Sequence, residues 1–474
     1  MLSYTMQILN SIISSVSNFL YSPWVPLFLV LGGFYLSFRT RFVQFRLLGE
    51  SIRVVTDKPK DRNSISSFGA LMVSTASRVG TGNIIGVSTS ICLGGVGSIF
   101  WMWAIALIGG ASAFVESTLA QIYKRRNPDG TSYGGPSYYM EAALGRRWLG
   151  VIFSVIILLT YAVGYNALAS FNLQSTFAGF SFYHAETTPF IIGIILTVLF
   201  ALSIMGGARH LVRVSSLLVP LMGIIYIGVS LVVVFMNISR FPQMISNIFA
   251  DAFNFKAIFG GFAGSCLMYG IKRGLYSNEA GMGSAPNAAA TAEVSHPVKQ
   301  GLVQMLSVFI DTLLVCTATA FMCMMSDVVP TAEIAGAAYV QQSLGSTLGG
   351  FGPIFIAISM CLFAFTTLIG NYSYCEGCLK YLLKKSPSKA FLIGFRIVAS
   401  FLVLVGAIVQ MDLVWNLADL LQGTMVIIHI PVIVLLAGTV VKALKDYTDQ
   451  KKEGKEPEFK AQSIGITTEL DFWS

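Results

Sequence analysis

Eleven apolar runs, each long enough to cross a bilayer, follow one another along this chain, and charge is confined almost wholly to the connections between them. A crossing helix needs about 20 predominantly apolar residues. Runs of that kind occupy roughly 9–37, 68–93, 97–122, 148–178, 187–206, 211–236, 256–283, 300–325, 350–380, 389–410 and 415–442. Only 11% of the 474 residues are charged, against about 25% in a soluble domain. That is too little to cover a wetted surface. The pattern predicts an all-α integral membrane protein.

The net charge of +8 does not point to nucleic acid, because the basic residues lie in short connections rather than on one face. Arg39, Arg41, Arg46, Arg53, Lys58, Lys60 and Arg62 fill the first connection, and Lys124, Arg125, Arg126, Arg146 and Arg147 the third. Arg209 and Arg213 lie in the fifth, Lys299 in the seventh, and Lys380, Lys384, Lys385, Lys389 and Arg396 in the ninth. The intervening connections hold little beyond Arg240 and Lys256. The positive-inside rule then places the odd connections and the tail in the cytoplasm, with the N-terminus outside a multi-pass cell (plasma or inner) membrane. The N-terminal stretch lacks a basic start and runs into apolar sequence, which reads as a retained helix rather than a cleaved signal. Between the eighth and ninth segments, a loop of about 25 residues on the outer side has the length of a lid. Seven scattered cysteines and four isolated histidines offer no metal-enzyme spacing.

Two segments break the rules of a continuous helix. The second contains Arg78-Val79-Gly80-Thr81-Gly82-Asn83-Ile84-Ile85-Gly86, and the seventh contains Gly260-Gly261, Gly264-Ser265 and Tyr269-Gly270 followed by Lys272-Arg273-Gly274. Backbone that leaves the helix inside a bilayer must be buried in protein or line a polar cavity. An isolated glycine pair reads more simply as close helix packing. Two such interruptions five segments apart favour another reading. With the first segment set aside, they open two five-helix halves, and an odd number of crossings makes the second half inverted. Broken helices at matching positions of inverted halves point to a transporter's binding site, where free N–H groups meet a carboxylate and free carbonyls meet a cation. The implied units are 1–66 (a peripheral helix and loop), 67–240, 241–445 and a tail at 446–474.

Ionisable residues inside membrane segments are functional candidates, because burying them is costly. Arg78, Glu116, Lys272, Arg273, Glu279 and Asp311 qualify. With the seventh segment starting near 256, Lys272, Arg273 and Glu279 fall in its inner half. Together with Arg78 they form a candidate gate of ion pairs on the cytoplasmic side; a purely structural pairing is the alternative. Glu116 is a candidate ligand for a proton or Na⁺. Phe100-Trp101-Met102-Trp103 reads as part of an outer aromatic belt.

The stretch from Arg78 to Val87 resembles a signature of the alanine or glycine:cation symporter family. So do Phe100 to Trp103, Gly134-Gly135-Pro136-Ser137-Tyr138-Tyr139, Arg273 to Asn287, and Phe363-Ala364-Phe365-Thr366-Thr367. The resemblance implies a LeuT-like 5+5 inverted repeat with one extra N-terminal helix, and sodium-driven uptake of alanine, glycine or a related neutral amino acid, with no cofactor beyond the coupling ion. It implies that Thr81, Gly82 and Asn83 touch the substrate, with Thr367 nearby. It also implies that Na⁺ sits between carbonyls around Ala76 and Val79 and the hydroxyls of Thr366 and Thr367; both hydroxyls bonding their own helix is the alternative. Asn172, Gln174, Gly264, Tyr269, Gly270 and Asn371 complete the candidate substrate contacts. Many family members carry Trp where Asn371 stands here, and Gln where Asn172 aligns. A smaller polar group enlarges the pocket and adds hydrogen-bonding capacity, so glutamine or serine is an alternative substrate. A channel would show repeated rings of one charge, and an enzyme a nucleophile spaced with a base; neither pattern is present.

Overall fold

The computed structural model describes residues 2–57, 64–261, 264–468 and 470–473; Lys58, Lys60 and Arg62 lie outside the described residues. Among these, nine helices are long and apolar enough to cross a membrane: Gln7–Arg39, Ser98–Ile122, Arg147–Ser175, Thr188–Met205, Gly207–Met236, Pro297–Met324, Phe351–Leu383, Lys389–Ile408 and Met411–Lys452. They correspond to the first, the third to sixth, and the eighth to eleventh segments. The two segments missing from this set are the second and the seventh. Each is built instead from two shorter helices with irregular backbone between them.

The second segment starts at Ser67, where the Ser66 hydroxyl accepts from the Gly69 N–H at 3.0 Å. Its first helix ends at Arg78, Val79 turns out of helical geometry (φ −75°, ψ 87°), and helix resumes from Gly82 to Gly94 through a π-type turn over Gly82–Gly86. The seventh starts at Cys266 under a matching cap, the Met268 N–H donating to Ser265 Oγ at 3.3 Å, and runs to Asn278. Glu279, Gly281 and Gly283 all take positive φ (54°, 83° and 84°) before a short helix over Ala285–Ala289. The sequence reading started this segment near 256. In the structure Phe255–Gly260 is a separate short helix, because the Gly260-Gly261 pair ends it and Ser265 caps a new one.

The third helix packs along the eighth, the fifth along the tenth, and the fourth against the ninth and tenth. The two halves of the second segment lie against the seventh. Shorter helices close the ends. Leu48–Val55 packs on the start of the eighth helix and Phe241–Ala252 on the start of the third. Pro136–Leu144 packs on the fourth and Ala337–Leu348 on the ninth. That last helix occupies the long loop read as a lid; the Ser88 hydroxyl donates to Gly336 O at 2.6 Å, which fastens it to the second segment. Large apolar side chains such as Ile224 (72% exposed), Leu202, Phe235 and Ile397 cover the outside of the fifth, sixth and tenth helices, an apolar surface suited to lipid. Phe100 packs with tilted rings on Phe249 of the 241–252 helix and on Phe253 just beyond it, and Trp101 packs on Phe253.

Basic connections gather at one end. Lys299 pairs with Asp57 at 2.7 Å and with Glu456, Lys380 donates to Asn127 at 3.0 Å, and Arg125 pairs with Asp471 at 3.0 Å. The tail folds back on the same end: the Phe459 N–H donates to Ser295 O and the Trp473 indole N–H donates to Gln121 O at 2.8 Å.

Candidate functional site

The break in the second segment follows from its own residues. The last regular bond of the first helix runs from the Val79 N–H to Thr75 O. Beyond it, Asn83 caps the interruption: its Oδ1 accepts from the Gly80 N–H at 2.7 Å, while its own N–H donates to Gly80 O at 3.2 Å. Gly80 is required by close approach, since a Cβ there would lie 1.9 Å from Thr367 Oγ1. Ser77, Arg78, Gly80, Thr81, Gly82, Tyr165, Tyr276 and Thr367 enclose a cavity at this point, with about 10 Å³ of room for the centre of a water molecule. That holds about one water. An amino acid enters only when these side chains draw apart.

The chemistry of the lining is hydroxyl and amide. Thr367 Oγ1 is buried with no hydrogen-bond partner among the described residues. Its neighbour Thr366 turns elsewhere: its hydroxyl donates to Leu362 O at 3.0 Å and faces the Met222 sulfur. Adjacent residues on a helix point about 100° apart, so the pair does not present two hydroxyls to one point in this conformation. The Asn172 amide donates to Thr81 Oγ1 at 3.1 Å, leaving Asn172 Oδ1 unpartnered among the described residues, and Thr81 lies 3.3 Å from the Tyr276 hydroxyl. Tyr165 packs edge-on to Tyr276 and donates to Gln422 at 2.8 Å.

Around this cavity runs a buried polar network. The Ser77 hydroxyl lies 2.7 Å from Asn371 Oδ1 and 3.0 Å from Glu279 Oε1, and the Asn371 amide donates to Asn166 Oδ1 at 3.0 Å. Ser284 donates to the other Glu279 oxygen at 2.8 Å. Asp311 ties the two breaks together: it accepts from Asn83 of the second segment at 2.7 Å and from Ser277 of the seventh at 2.8 Å, with Thr312 beside them. Arg78, 1% exposed, bonds only to Gln304, leaving Nε and Nη2 unpartnered among the described residues. It lies within electrostatic reach of Glu116, Glu279 and Asp311. A buried cation among three carboxylates offsets part of the cost of burying each.

The structure thus brings Thr81, Gly82, Thr367 and Asn172 together, while Ala76 and Val79 are chain neighbours of the lining residues and do not themselves line the cavity. Asn83 and Asn371 are one layer out, their amides engaged in the networks above. Four candidates lie elsewhere. Gly270 faces the third helix, where a Cβ would fall 2.6 Å from Ser98 O, so it serves helix packing. Tyr269 packs on Gly94, Gly264 is exposed with open space around it, and Gln174 accepts from Tyr183 at 2.8 Å. The candidate gate also changes place. Because the seventh segment starts at Cys266, Lys272 and Arg273 precede its break and lie away from the basic end. Arg273 pairs with Asp419 at 2.9 Å over the Trp415 ring, and Lys272 sits 3.8 Å from the same carboxylate over Tyr21. Glu279 takes no part in that cluster. Tyr165, Tyr276 and Ser77 were not singled out; Tyr276 lies inside the Arg273–Asn287 motif, while Tyr165 carries no local signal.

Comparison with known proteins agrees along the whole chain. The model of the family described as "Sodium:alanine symporter family" matches residues 6–461. The "Probable sodium/glutamine symporter GlnT" of Bacillus subtilis is 44% identical over 98% of this chain and 96% of its own length. The "Amino-acid carrier protein AlsT" of the same organism is 43% identical over 98% and 97%. The "Sodium/alanine symporter AgcS" of Methanococcus maripaludis is 35% identical over 93% and 98%.

Proposed function

This chain belongs to the sodium:alanine symporter family, and we propose that it imports a small neutral amino acid, alanine or glycine first, by sodium-driven alternating access. The observation that carries this reading is the break of the second segment closing on a Thr367 hydroxyl that has no partner among the described residues. The helix ending at Arg78 turns its C-terminal end to the cavity, and the helix resuming at Gly82 turns its N-terminal end to it. The first end carries negative partial charge and suits a cation; the second carries positive partial charge and suits a carboxylate. On this reading Thr81, Gly82 and Asn172 hold the amino acid. Na⁺ takes the carbonyls of Ala76 and Val79 and the hydroxyl of Thr367, and Thr366 joins once its hydroxyl leaves Leu362 O.

The arrangement of helices supports a LeuT-like repeat. Segments five apart pack on each other: second on seventh, third on eighth, fourth on ninth, fifth on tenth. The helices before the two broken segments match as well. Leu48–Val55 leads to Asp57, which grips Lys299 at the start of the eighth helix; Phe241–Ala252 supplies Asp251, which accepts from the Gly97 N–H at 2.7 Å at the start of the third. The basic end reads as cytoplasmic, and the Arg273–Asp419 cluster as an outer closure.

A polar side chain such as that of glutamine or serine is the second reading. It is favoured by Asn371 beside the cavity, by Asn172 Oδ1, which has no partner among the described residues, and by the sodium/glutamine relative. The test is uptake of labelled alanine into proteoliposomes with and without an inward Na⁺ gradient, with unlabelled glycine and glutamine as competitors. Gradient-dependent uptake blocked by glycine supports the first reading and block by glutamine alone the second. Uptake indifferent to Na⁺ overturns both.

A further inference from the structure

The break of the seventh segment is gripped by a buried acid, imidazole and phenol that the transport reading leaves unused. Glu116 comes from the middle of the third helix, His429 from the eleventh and Tyr139 from the 136–144 helix; all three are fully buried. Glu116 Oε2 accepts from the Gly283 N–H at 3.1 Å. His429 Nδ1 lies 2.8 Å from Gly281 O, so that nitrogen carries a hydrogen and donates it. The same Nδ1 is 3.4 Å from Glu116 Oε2, its Nε2 meets the Tyr139 hydroxyl, and Phe153 stacks on the ring. Glu116 Oε1 has no partner among the described residues.

We propose that Glu116 and His429 form a proton-binding site that sets how firmly the break of the seventh segment is held, so that uptake responds to pH. This rests on the symport reading above. The occupant is a proton rather than Na⁺, because a hard cation needs several oxygens, and Oε1 stands alone while Gly281 O is already taken. A proton from water converts the Glu116 carboxylate to the acid at Oε1. The imidazole N–H then stays on Gly281 O and, with the Gly283 N–H on Oε2, pins the break on both sides. When the proton returns to water, the carboxylate draws the imidazole N–H across from Gly281 O, and the break loses one of its two ties. The other charged and titratable groups facing the pair are Arg78 of the second segment, Glu279 of the break, Tyr139, and Tyr374 of the ninth helix. Asp311 of the eighth helix shares Arg78 with Glu116.

The test measures alanine uptake in proteoliposomes at a fixed Na⁺ gradient from about pH 5.5 to about pH 8.5, a span across which a coupled carboxyl–imidazole pair changes charge. Wild-type uptake is expected to rise about fivefold or more with pH. Glu116→Gln, which keeps a neutral group in place, stays flat at the acid-end level. His429→Phe, which stacks on Phe153 without tying Gly281, stays flat at the alkaline-end level. Wild-type and variant profiles of the same shape overturn the proposal. No Na⁺-driven uptake by the wild type overturns the symport reading instead. In that case, or if the variants transport nothing, infrared difference spectra of the solubilised protein between the same pH limits decide. One protonated-carboxyl band lost in Glu116→Gln and shifted in His429→Phe supports the site. A full set of bands in Glu116→Gln, or a Glu116 band that answers to Na⁺ and not to pH, overturns it.

Discussion

The two broken segments look alike in sequence and differ in how far remote side chains hold their backbone. In the second, the chain caps itself: Asn83 satisfies Gly80 three residues back, and the opening closes on hydroxyls and rings. In the seventh, the backbone passes through three positive-φ positions and adds to its own ties, from Asn278 and Ser284, a set of side chains from elsewhere: Glu116, His429, and Ser77 acting on Glu279. A break that supports itself keeps its shape when its neighbours move and suits a binding platform. A break fastened by remote groups changes when they change and suits a moving part. Asp311 joins the two by accepting from both.

Breaking the self-capped platform is expected to have the largest effect. Gly80→Ala puts a Cβ 1.9 Å from Thr367 Oγ1 and is expected to cut Na⁺-driven uptake by about 100-fold, because misplacing binding groups by about an ångström costs that much. Adding Thr367→Ala removes the clashing oxygen and is expected to restore part of the amino-acid binding, read by thermal shift, without restoring Na⁺ dependence. Wild-type uptake in Gly80→Ala would refute the site.

Thr367→Ala alone is expected to raise the Na⁺ concentration for half-maximal uptake by about tenfold, the worth of one oxygen on an ion. Thr366→Ala should move it by no more than about twofold if its hydroxyl stays on Leu362 O. Equal effects would mean that both threonines turn toward the ion during transport. Asp419→Asn removes the counter-charge of Arg273 and Lys272 on the helix that precedes the seventh break and is expected to lower the maximal uptake rate by about fivefold. An unchanged rate would make that cluster a packing device.

The smallest effect tests the clasps that precede the broken segments. Burial works to raise Glu50, but bonds from Arg53 and Tyr447 win and hold it down to about 2, against an ordinary 4.5. A carboxyl held below its ordinary value contributes stability in full above pH 4.5 and loses it as pH falls toward about 2. Protection of the 48–55 helix from hydrogen exchange, taken relative to the intrinsic exchange rate at each pH, is therefore expected to fall by about twofold or more over that window in the wild type and less in Glu50→Gln. The 241–252 helix is the internal reference.

Much of this was legible before any coordinates. Apolar length and the alternation of basic connections marked the segments, because the bilayer imposes length and the charge bias is local. The Arg78–Gly86 break was legible because its glycines and its Asn83 cap lie within nine residues. The start of the seventh segment is not legible, since an apolar run does not show where a serine restarts a helix; for that reason the sequence does not show that Lys272 and Arg273 precede the break. Thr366 and Thr367 look equivalent in sequence and differ only by helical phase against Gly80. Glu116, His429 and Tyr139 lie on three elements up to about 300 residues apart, and no local pattern announces that they meet. His429 was simply one of four isolated histidines.

At Gly370 the ninth helix meets the second backbone to backbone, a Cβ there falling 2.3 Å from the Ser77 nitrogen, and one turn away Thr367 rests on Gly80. At Gly370 no side chain lies between them. In mechanical terms this is a bearing without play: a tilt of the ninth helix reaches the break undiminished, and a break that moves must carry the helix with it.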